Sequence, residues 1–588
     1  MCRRFFIGMT MLAFALRGTA LAQHVEVESL LLENGMEFLL VERPDQPNSI
    51  TAGWVAKVGS ANERPGITGI SHFFEHMMFK GTRTIGTRDA ERDRRLIERQ
   101  KAVKDRLNEL VFSVQYQRWR RGMIDDPWDP AHDTEEMKSL RAKLGQLMDE
   151  HRKVIVKDEF DEVYTKLGGS RMNAFTTHDL TFYFISVPSN KFELWAWMES
   201  DRLRDSVFRE FYAERDVVHE ERRLRTESTP TGEFREQFNA MFWQSSPYSW
   251  PVVGWPSDLN SYTRPQAERY FETYYRPNNI VGIVIGDFQA AAVKPVIRRY
   301  FGRLSRPEHD PPPVVTLEVQ QKAQMRMLAE CDCQGQVEVR YHTVPFNHAD
   351  SFALEVAAQI LNQRTGRLYK SMVEGREIAS SASAGQDSRK YAGSFSFRAQ
   401  IKGEATPQEL EEAWYEEIQR LQTEPVADRE LEKVKNRIAA NAYRRLQSNF
   451  SLMVQLGMYE ALGSASGTGW EYINDSPARL QAVTADRIMD VARKYFDSTN
   501  SAVAIYTRKA TAKPPDPELA AMDEASSAMV RQTLSWMSQI QDPSQLNMII
   551  AGLQGRLDTT EPGRAQAAHY LIKKLRERIA ELQAASGN

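Results

Sequence analysis

Cysteine is scarce in this sequence of 588 residues, which contains only three. Cys2 lies at the N-terminus, which leaves Cys331 and Cys333, too few for a zinc site built from cysteines. A single residue separates these two, an awkward spacing for an ordinary disulfide, so the sequence predicts two free thiols near a strand. Any metal chemistry must therefore use other residue types.

Long hydrophobic runs and an excess of positive charge are also missing. The apolar stretch at residues 5–16 is well short of the about 20 residues that a membrane-spanning helix needs, and no later segment is long enough. Arg3 and Arg4 precede it, and a small-x-small cleavage site ends at Ala22. We therefore expect residues 1–22 to be a secretory signal peptide and the mature protein to be periplasmic or otherwise secreted, without a membrane span. The formal net charge of −3 gives no reason to expect nucleic acid as a partner.

Strand and helix patterns alternate along the chain, which predicts an α+β fold. A helix ending in Tyr-Phe, a short loop and an apolar strand occur at residues 269–286 and again at 494–506. This repeat suggests two related domains. The predicted organisation is a first domain at residues 23–304, a proline-rich linker at 305–318, a second domain at 319–508 and a helical C-terminal extension at 509–588.

Residues from about 89 to 160 are crowded with charged side chains and have apolar residues at helical spacing, interrupted by two prolines. This pattern predicts a charged helical hairpin inserted into the first domain. Its role is open between a solvated structural arm and a surface for partner recognition. In the C-terminal extension, an amphipathic stripe predicts a helix that packs on the body or on a partner; it consists of Leu571, Leu575, Ile579 and Leu582.

The residues that point to chemistry lie in a predicted short helix, which Ser71 would cap and which would stop by Gly81. His72 and His76 are four residues apart, so their side chains project from one helix face. Two imidazoles at this spacing can reach one zinc ion, with Glu75 beside them to take a proton from an attacking water. His-x-x-Glu-His is the inverted zincin motif. Taken alone it stays ambiguous, because paired helix histidines are more often surface or core residues than ligands.

A second helical segment supplies carboxylates. Glu214 and Glu221 lie on one helical face together with Val217 and Val218, so both carboxylates could point the same way. One of them could be the third ligand beside His72 and His76 and leave the fourth zinc position for water, as a catalytic site requires.

With both segments, the chain resembles the insulinase/pitrilysin family of zinc peptidases, especially its bacterial two-domain branch that is similar to mitochondrial processing peptidase. The resemblance covers about residues 25–508 apart from the insertion. It is carried by residues 69–82, 173–177, 214–221, 274–279 and 285–287. The implied fold is a pair of related α/β-sandwich domains that form half of a clam-like chamber.

The resemblance also implies a role for each site residue. His72, His76 and Glu221 would hold one Zn²⁺ per chain, Glu75 would be the general base, and Glu214 would support the site from behind the ligands. Counting seven positions from Glu214 selects Glu221 over the adjacent Glu220. Separately, Asn173 and Ala174 would lie beside an edge strand onto which extended peptides dock.

The chain departs from the family where an Arg and a Tyr, seven positions apart, are expected opposite the zinc. Val373 and Ser380 occupy these positions, and Arg376 and Tyr369 nearby have the wrong spacing. We therefore expect a zinc endopeptidase that acts on peptides or unfolded segments and needs a related second subunit to supply the pair. A heterodimer is the first expectation, and a homodimer is possible.

Two alternatives stay open. The chain could be a binding or scaffolding subunit that retains zinc but contributes little catalysis, which the missing Arg and Tyr favour and the complete zinc motif opposes. A purely structural zinc site is the weaker alternative, because such sites use four protein ligands and often cysteines.

Overall fold

The computed structural model describes residues 24–463, 469–509, 516–537, 540, 542–555 and 562–586. The predicted signal peptide at residues 1–22 lies outside the described residues. Across these ranges, every helix is too short or too polar to cross a membrane.

The described strands form two mixed sheets, one in each half of the chain. The first has the order β1-β2-β6-β3-β5-β4, and the second has the order β7-β11-β8-β10-β9. In both sheets one pair is parallel, β2 with β6 and β7 with β11, and the remaining pairs are antiparallel. The expected α+β fold with two related domains is confirmed. The strands are β1 (Glu28–Leu31), β2 (Glu37–Glu42), β3 (Ser49–Ala56), β4 (Ser170–Thr176), β5 (Thr181–Pro188), β6 (Ile280–Gly286), β7 (Met325–Cys331), β8 (Gln336–Thr343), β9 (Ala379–Ser388), β10 (Gly393–Ile401) and β11 (Ser501–Arg508).

Helices cover both sheets and build the insertion and the C-terminal extension. Three short π-helical segments interrupt this pattern at Val111–Gln115, Arg223–Glu227 and Tyr369–Gly375. The described α-helices are α1 (Ile70–Met77), α2 (Ala90–Leu110), α3 (Tyr116–Arg120), α4 (Glu135–Arg152), α5 (Glu159–Lys166), α6 (Phe192–Asp205), α7 (Phe211–Arg222), α8 (Gly232–Phe242), α9 (Pro256–Ser261), α10 (Arg264–Tyr274), α11 (Ala290–Phe301), α12 (Ser351–Leu361), α13 (Pro407–Thr423), α14 (Asp428–Leu446), α15 (Asn449–Leu462), α16 (Tyr472–Gln481), α17 (Ala485–Tyr495), α18 (Pro517–Ala520), α19 (Glu524–Met537), α20 (Pro543–Gln554) and α21 (Pro562–Ser586).

Each half of the chain lends a helix to the sheet of the other half. From the second half, α15 packs Leu452 and Leu456 against Phe182 and Ile283 of the first sheet. In return, α8 packs its aromatic side chains against the face of β7 and β11 in the second sheet. This exchange buries apolar surface between the two domains and holds them together.

The insertion is a helical hairpin, as predicted, in which α2 packs along α4. A buried polar network ties its base to the loop that follows α1. Arg209 Nε donates to Asp93 in α2 at 3.0 Å, and His151 Nε2 in α4 lies 2.6 Å from the other oxygen of Asp93. The same guanidinium donates to the carbonyl oxygens of Lys80, Thr82 and Ile85. The hairpin is therefore anchored to the first domain's core.

The C-terminal extension is helical, as predicted. The prediction that its amphipathic stripe packs on the body of the protein or on a partner is wrong. Leu571, Leu575, Ile579 and Leu582 pack with apolar residues of α19 and α20, so the stripe is buried within the extension itself. Two amphipathic helices close by in sequence can cover such a stripe locally, which the pattern of one helix does not reveal.

The prediction of two free thiols is also wrong, because Cys331 and Cys333 form a disulfide. Strand β7 ends at Cys331 and the chain bends immediately afterwards. The bend brings the two Cα atoms to 5.2 Å, within the range that a disulfide spans. A fully extended chain would hold the Cα atoms of residues i and i+2 about 6.6 Å apart, near the upper end of that range.

Candidate metal centre

The helix that carries the histidines begins at Ile70, two residues earlier than a cap at Ser71 would place it. Gly69, at φ 86°, precedes α1, and Ser71 lies inside the helix, so the prediction that Ser71 is the cap is wrong. Instead, the buried Glu63 carboxylate accepts the backbone N–H groups of Gly69 and Ser71, each at 2.7 Å. Burial raises the pKa of Glu63 to about 8, although the hydrogen bonds from Ser71 and Gly69 act to lower this pKa. Ser71 Oγ pairs with the hydroxyl of Tyr270 at 2.6 Å.

The structure brings His72, His76 and Glu221 together, from α1 and from the last turn of α7. His72 Nε2 lies 3.4 Å from Glu221 Oε1, and His76 Nε2 lies 3.4 Å from Glu221 Oε2. One nitrogen of each histidine and one carboxylate oxygen lie within 4.8 Å of one another. The adjacent Glu220 is directed elsewhere: it is 61% exposed and pairs with Arg223.

These three side chains fit a zinc ion. Zinc binds imidazole nitrogen and carboxylate oxygen at about 2.0–2.2 Å in tetrahedral sites, which places neighbouring ligand atoms about 3.3–3.5 Å apart. Each histidine nitrogen lies at about this spacing, 3.4 Å, from one of the two Glu221 oxygens. Three protein ligands leave one position open, the arrangement of a catalytic site.

Glu214 lies behind His76 rather than beside the cluster. Its Oε2 is 3.3 Å from His76 Nδ1, and its Oε1 is 2.5 Å from the ammonium of Lys80. A carboxylate on the far nitrogen fixes the ring orientation of a metal-binding histidine and raises its basicity. Burial opposes the charged form of His76, but the hydrogen bonds to Glu214 and Glu221 raise its pKa to about 9. Burial likewise opposes ionisation of Glu221, but its two histidine neighbours and Arg225 hold its pKa well below the usual range.

Glu75 faces the edge of the first sheet. Thr176 Oγ1, at the end of β4, donates to Glu75 Oε2 at 2.6 Å. β4 is the outermost strand of its sheet, and its residues Asn173 and Ala174 pair with β5 on one side only. Asn173 is exposed and Ala174 is buried. The structure therefore joins the carboxylate of Glu75 to an open strand edge through one hydroxyl.

The positions of the missing Arg and Tyr lie in the second domain. Val373, in the π-helical segment before β9, packs against the core of that domain. Ser380 is exposed at the start of β9 and accepts a hydrogen bond from Gln334 at 3.1 Å. Arg376 nearby forms an ion pair with Glu416.

Sequence reasoning missed four residues that contact the site residues or hold the start of the helix that carries them. Thr176 lay within a stretch that the family resemblance had already marked, and its spacing from Ala174 could have placed it at the strand end. Lys80 and Arg225 follow the histidine and glutamate segments by one helical turn, a spacing that indicates contact. Glu63 carried no comparable signal, because its role depends on how a loop folds back onto α1.

Comparisons with known proteins agree with this geometry. Residues 38–97 match the family model described as insulinase (peptidase family M16), and residues 261–438 match the model described as the peptidase M16 inactive domain. The zinc protease PqqE of Helicobacter pylori is 24% identical over 487 residues, which cover 81% of this chain and 91% of that protein.

Solved structures match the fold. A protease from Helicobacter pylori superposes with a TM-score of 0.66 at 21% identity, covering 82% of this chain and all of that one. The periplasmic protease PqqL from Escherichia coli superposes with a TM-score of 0.60 at 15% identity, covering 87% of this chain and 50% of that one. The insulinase model covers the inverted zinc motif, and the inactive-domain model covers the end of the first domain and the first part of the second. Two models of the insulinase family of peptidases, family M16, thus match this chain, one over the segment that carries the histidines and one over residues 261–438.

Proposed function

We propose that this protein is a zinc-dependent endopeptidase that cleaves peptides or unfolded polypeptide segments. The observation that carries the proposal is the convergence of His72, His76 and Glu221 at distances that fit zinc, with Glu75 on the neighbouring helix position. One Zn²⁺ per chain would supply Lewis acidity, which makes water a competent nucleophile near neutral pH. Loss of any ligand would be expected in a member that had abandoned this chemistry.

The protein's own side chains would divide the remaining work. Glu75 would take a proton from the attacking water and return it to the leaving amine, while the hydrogen bond from Thr176 orients its carboxylate. An extended substrate would add to the open edge of β4 beside Asn173 and Ala174, so that backbone hydrogen bonds provide the affinity. Glu214 would hold the ring of His76 in place.

Glu75→Gln tests this proposal most directly. In the purified protein, the variant should retain zinc by elemental analysis and lose about 100- to 10,000-fold in hydrolysis of an unstructured peptide. Glu220→Gln, an exposed carboxylate next to the ligand Glu221, is the matched control and should cleave like the wild type. Equal cleavage by Glu75→Gln and the wild type would reject Glu75 as the base.

We further propose that full activity needs a related second subunit that supplies an Arg and a Tyr. Val373 and Ser380 occupy those positions in this chain, and neither side chain can offer a cation or a phenol. A heterodimer fits this need better than a homodimer, since a second copy would carry the same two residues. Mass measurement of the native assembly tests the partner, and high turnover by the isolated chain would contradict the need for one.

The same two positions favour a second candidate function, a zinc-binding subunit with weak catalysis that binds or scaffolds a peptidase complex. Bound zinc without Glu75-dependent cleavage, in the presence of the partner, would favour this candidate. For either function we propose export to the periplasm or the cell exterior after cleavage near Ala22. N-terminal sequencing of the protein from its native cells would check the cleavage site.

A further inference from the structure

Three arginines follow the metal-ligand candidate Glu221 within one turn, and they have three different environments. Arg222 is buried and forms a two-pronged ion pair with Glu236 at 2.7 Å. Arg223 pairs with the exposed Glu220. Arg225, in the π-helical segment that widens the helix after α7, is 74% exposed, yet its Nη1 lies 2.5 Å from Glu221 Oε1.

Arg225 is thus a solvent-facing cation in contact with the carboxylate at the centre of the site. Among the described residues, Glu221 is the only carboxylate within ion-pair distance of Arg225. A divalent cation held by Glu221 would neutralise that carboxylate and leave the guanidinium charge uncompensated beside the reacting bond. Arginine offers several N–H donors in a planar fork that matches a carboxylate.

A second exposed arginine lies along the expected path of the substrate. Arg171 is on the edge strand β4, five residues before Thr176, which at about 3.3 Å per residue is about 16 Å along the strand. It forms no ion pair within the part of the chain that the structure describes, and its φ of 58° marks the irregular register at this point of the strand. An extended peptide on β4 would therefore run between two cations.

We propose that Arg225 is a specificity-determining residue that selects peptides with an acidic side chain close to the scissile bond. This inference rests on the proposed peptidase function and names its substrate class: acidic peptide segments in extended conformation. Arg171 would favour a second acidic residue farther along the chain. Once Glu221 binds the metal, the Arg225 guanidinium would release Glu221 as its ion-pair partner and pair with the substrate carboxylate instead.

The test measures binding separately from cleavage. In zinc-loaded Glu75→Gln protein, fluorescence anisotropy compares peptides that carry Glu, Gln or Lys at each of the four positions around the scissile bond. At one position the Glu peptide should bind about three- to tenfold more tightly, and the preference should weaken at high salt. Arg225→Gln should abolish the preference, Arg225→Glu should reverse it toward Lys, and Arg225→Lys should restore part of it. Arg223→Gln, two residues away with the same chemistry, is the control that should keep the full preference.

The outcomes separate this inference from the function on which it rests. Cleavage that ignores substrate charge in every variant would overturn the inference and leave the peptidase intact. Arg225→Gln that binds both peptides equally weakly and loses zinc would also overturn it, because Arg225 would then only hold Glu221. Charge-selective binding that depends on Arg225, together with no cleavage by the zinc-loaded protein that retains Glu75, would support the inference about substrate charge and reject the endopeptidase.

Discussion

In the first domain, α1 packs between the edge strand β4 and α7, and in the second domain α12 packs in the same way between β9 and α14. Apart from β1, the two sheets share one arrangement of five strands, with β4 and β9 at equivalent edges. Only the first pair of helices carries histidines and converging carboxylates. Nine of the eleven residues of α12 are buried, and they are almost entirely apolar.

The comparison shows that this fold does not itself create a metal centre. The α12 side packs like an ordinary core, whereas the α1 side must satisfy several buried polar groups at once. Glu63 holds the start of the helix, Lys80 and Glu214 support His76, and Thr176 supports Glu75. Function therefore depends on side chains placed on a repeated scaffold, together with the residues that hold them there.

Removal of a metal ligand should produce the largest effect on zinc affinity. Only a substitution in the first domain should have this effect. Glu221→Gln takes the carboxylate away from His72 and His76, so zinc affinity should fall by more than about 100-fold, beyond the range seen when only a supporting residue is lost. Competition with a chromophoric chelator measures the change. Glu355→Gln, in α12, the counterpart of α1 in the second domain, should leave zinc binding unchanged. Equal zinc binding by the wild type, Glu221→Gln and Glu355→Gln would contradict the assignment of the metal site to the first domain alone.

Much of this architecture could be predicted because the signals are local. The repeated pattern of a helix, a short loop and an apolar strand indicated β6 and β11, and helical spacing indicated the insertion and the stripe in α21. The ligand candidates were also accessible, since His72 and His76 share a helix and Glu221 follows from a family spacing. Each of these inferences needs only residues that are near one another in the sequence.

The errors and omissions share a different cause: they depend on tertiary contacts. The cap of α1 is Glu63, which reaches it from a preceding loop, and Cys331 meets Cys333 only because β7 ends there. Likewise, nothing in the sequence of α15 shows that it covers the sheet of the first domain. Such contacts between distant segments have no periodic signature.

The exchange of helices between domains should give the next largest effect. Leu456 of α15 is fully buried against the first sheet, so Leu456→Ala should lower the free energy of unfolding by about 2–5 kcal/mol. Because this helix joins both domains, calorimetry should show both unfolding together at a lower temperature. Leu328→Ala, at an exposed position of β7, should change stability by less than about 0.5 kcal/mol. A variant in which only the second domain unfolds early would show that the domains are not coupled through α15.

Glu214→Gln should have a smaller effect than loss of a ligand. The amide keeps the shape of the side chain but gives up the charge that faces His76 and Lys80, so zinc affinity should fall by about 10- to 100-fold. The chelator competition used for Glu221→Gln measures both variants on one scale. Glu210→Gln is a fair comparison, because Glu210 also contacts Lys80 at 3.3 Å but does not reach a histidine. Equal losses in both variants would mean that Lys80, not His76, transmits the effect.

The smallest expected effect concerns pH and the contact of α8 with the second sheet. His342 of β8 stacks on Phe242 of α8, with ring centroids 3.9 Å apart and an angle of 6° between the rings. Burial lowers the pKa of His342 to about 4, and the nearby charge of Glu318 only partly opposes this. The folded protein therefore binds fewer protons at His342 than the unfolded chain, whose histidine titrates near 6.5.

The sign follows from that difference. The stability from His342 is complete above about pH 6.5 and is lost as the pH falls toward 4, which amounts to about 2 kcal/mol at pH 5 relative to pH 8. His342→Phe keeps a ring against Phe242 and cannot be protonated, so its loss of stability between pH 8 and pH 5 should be smaller by that amount in urea unfolding. His132→Phe is the control, because His132 lies at the tip of the insertion and packs against neither sheet. If His342→Phe and the wild type lose the same stability on acidification, the stacked ring does not contribute to the pH dependence of the domain contact.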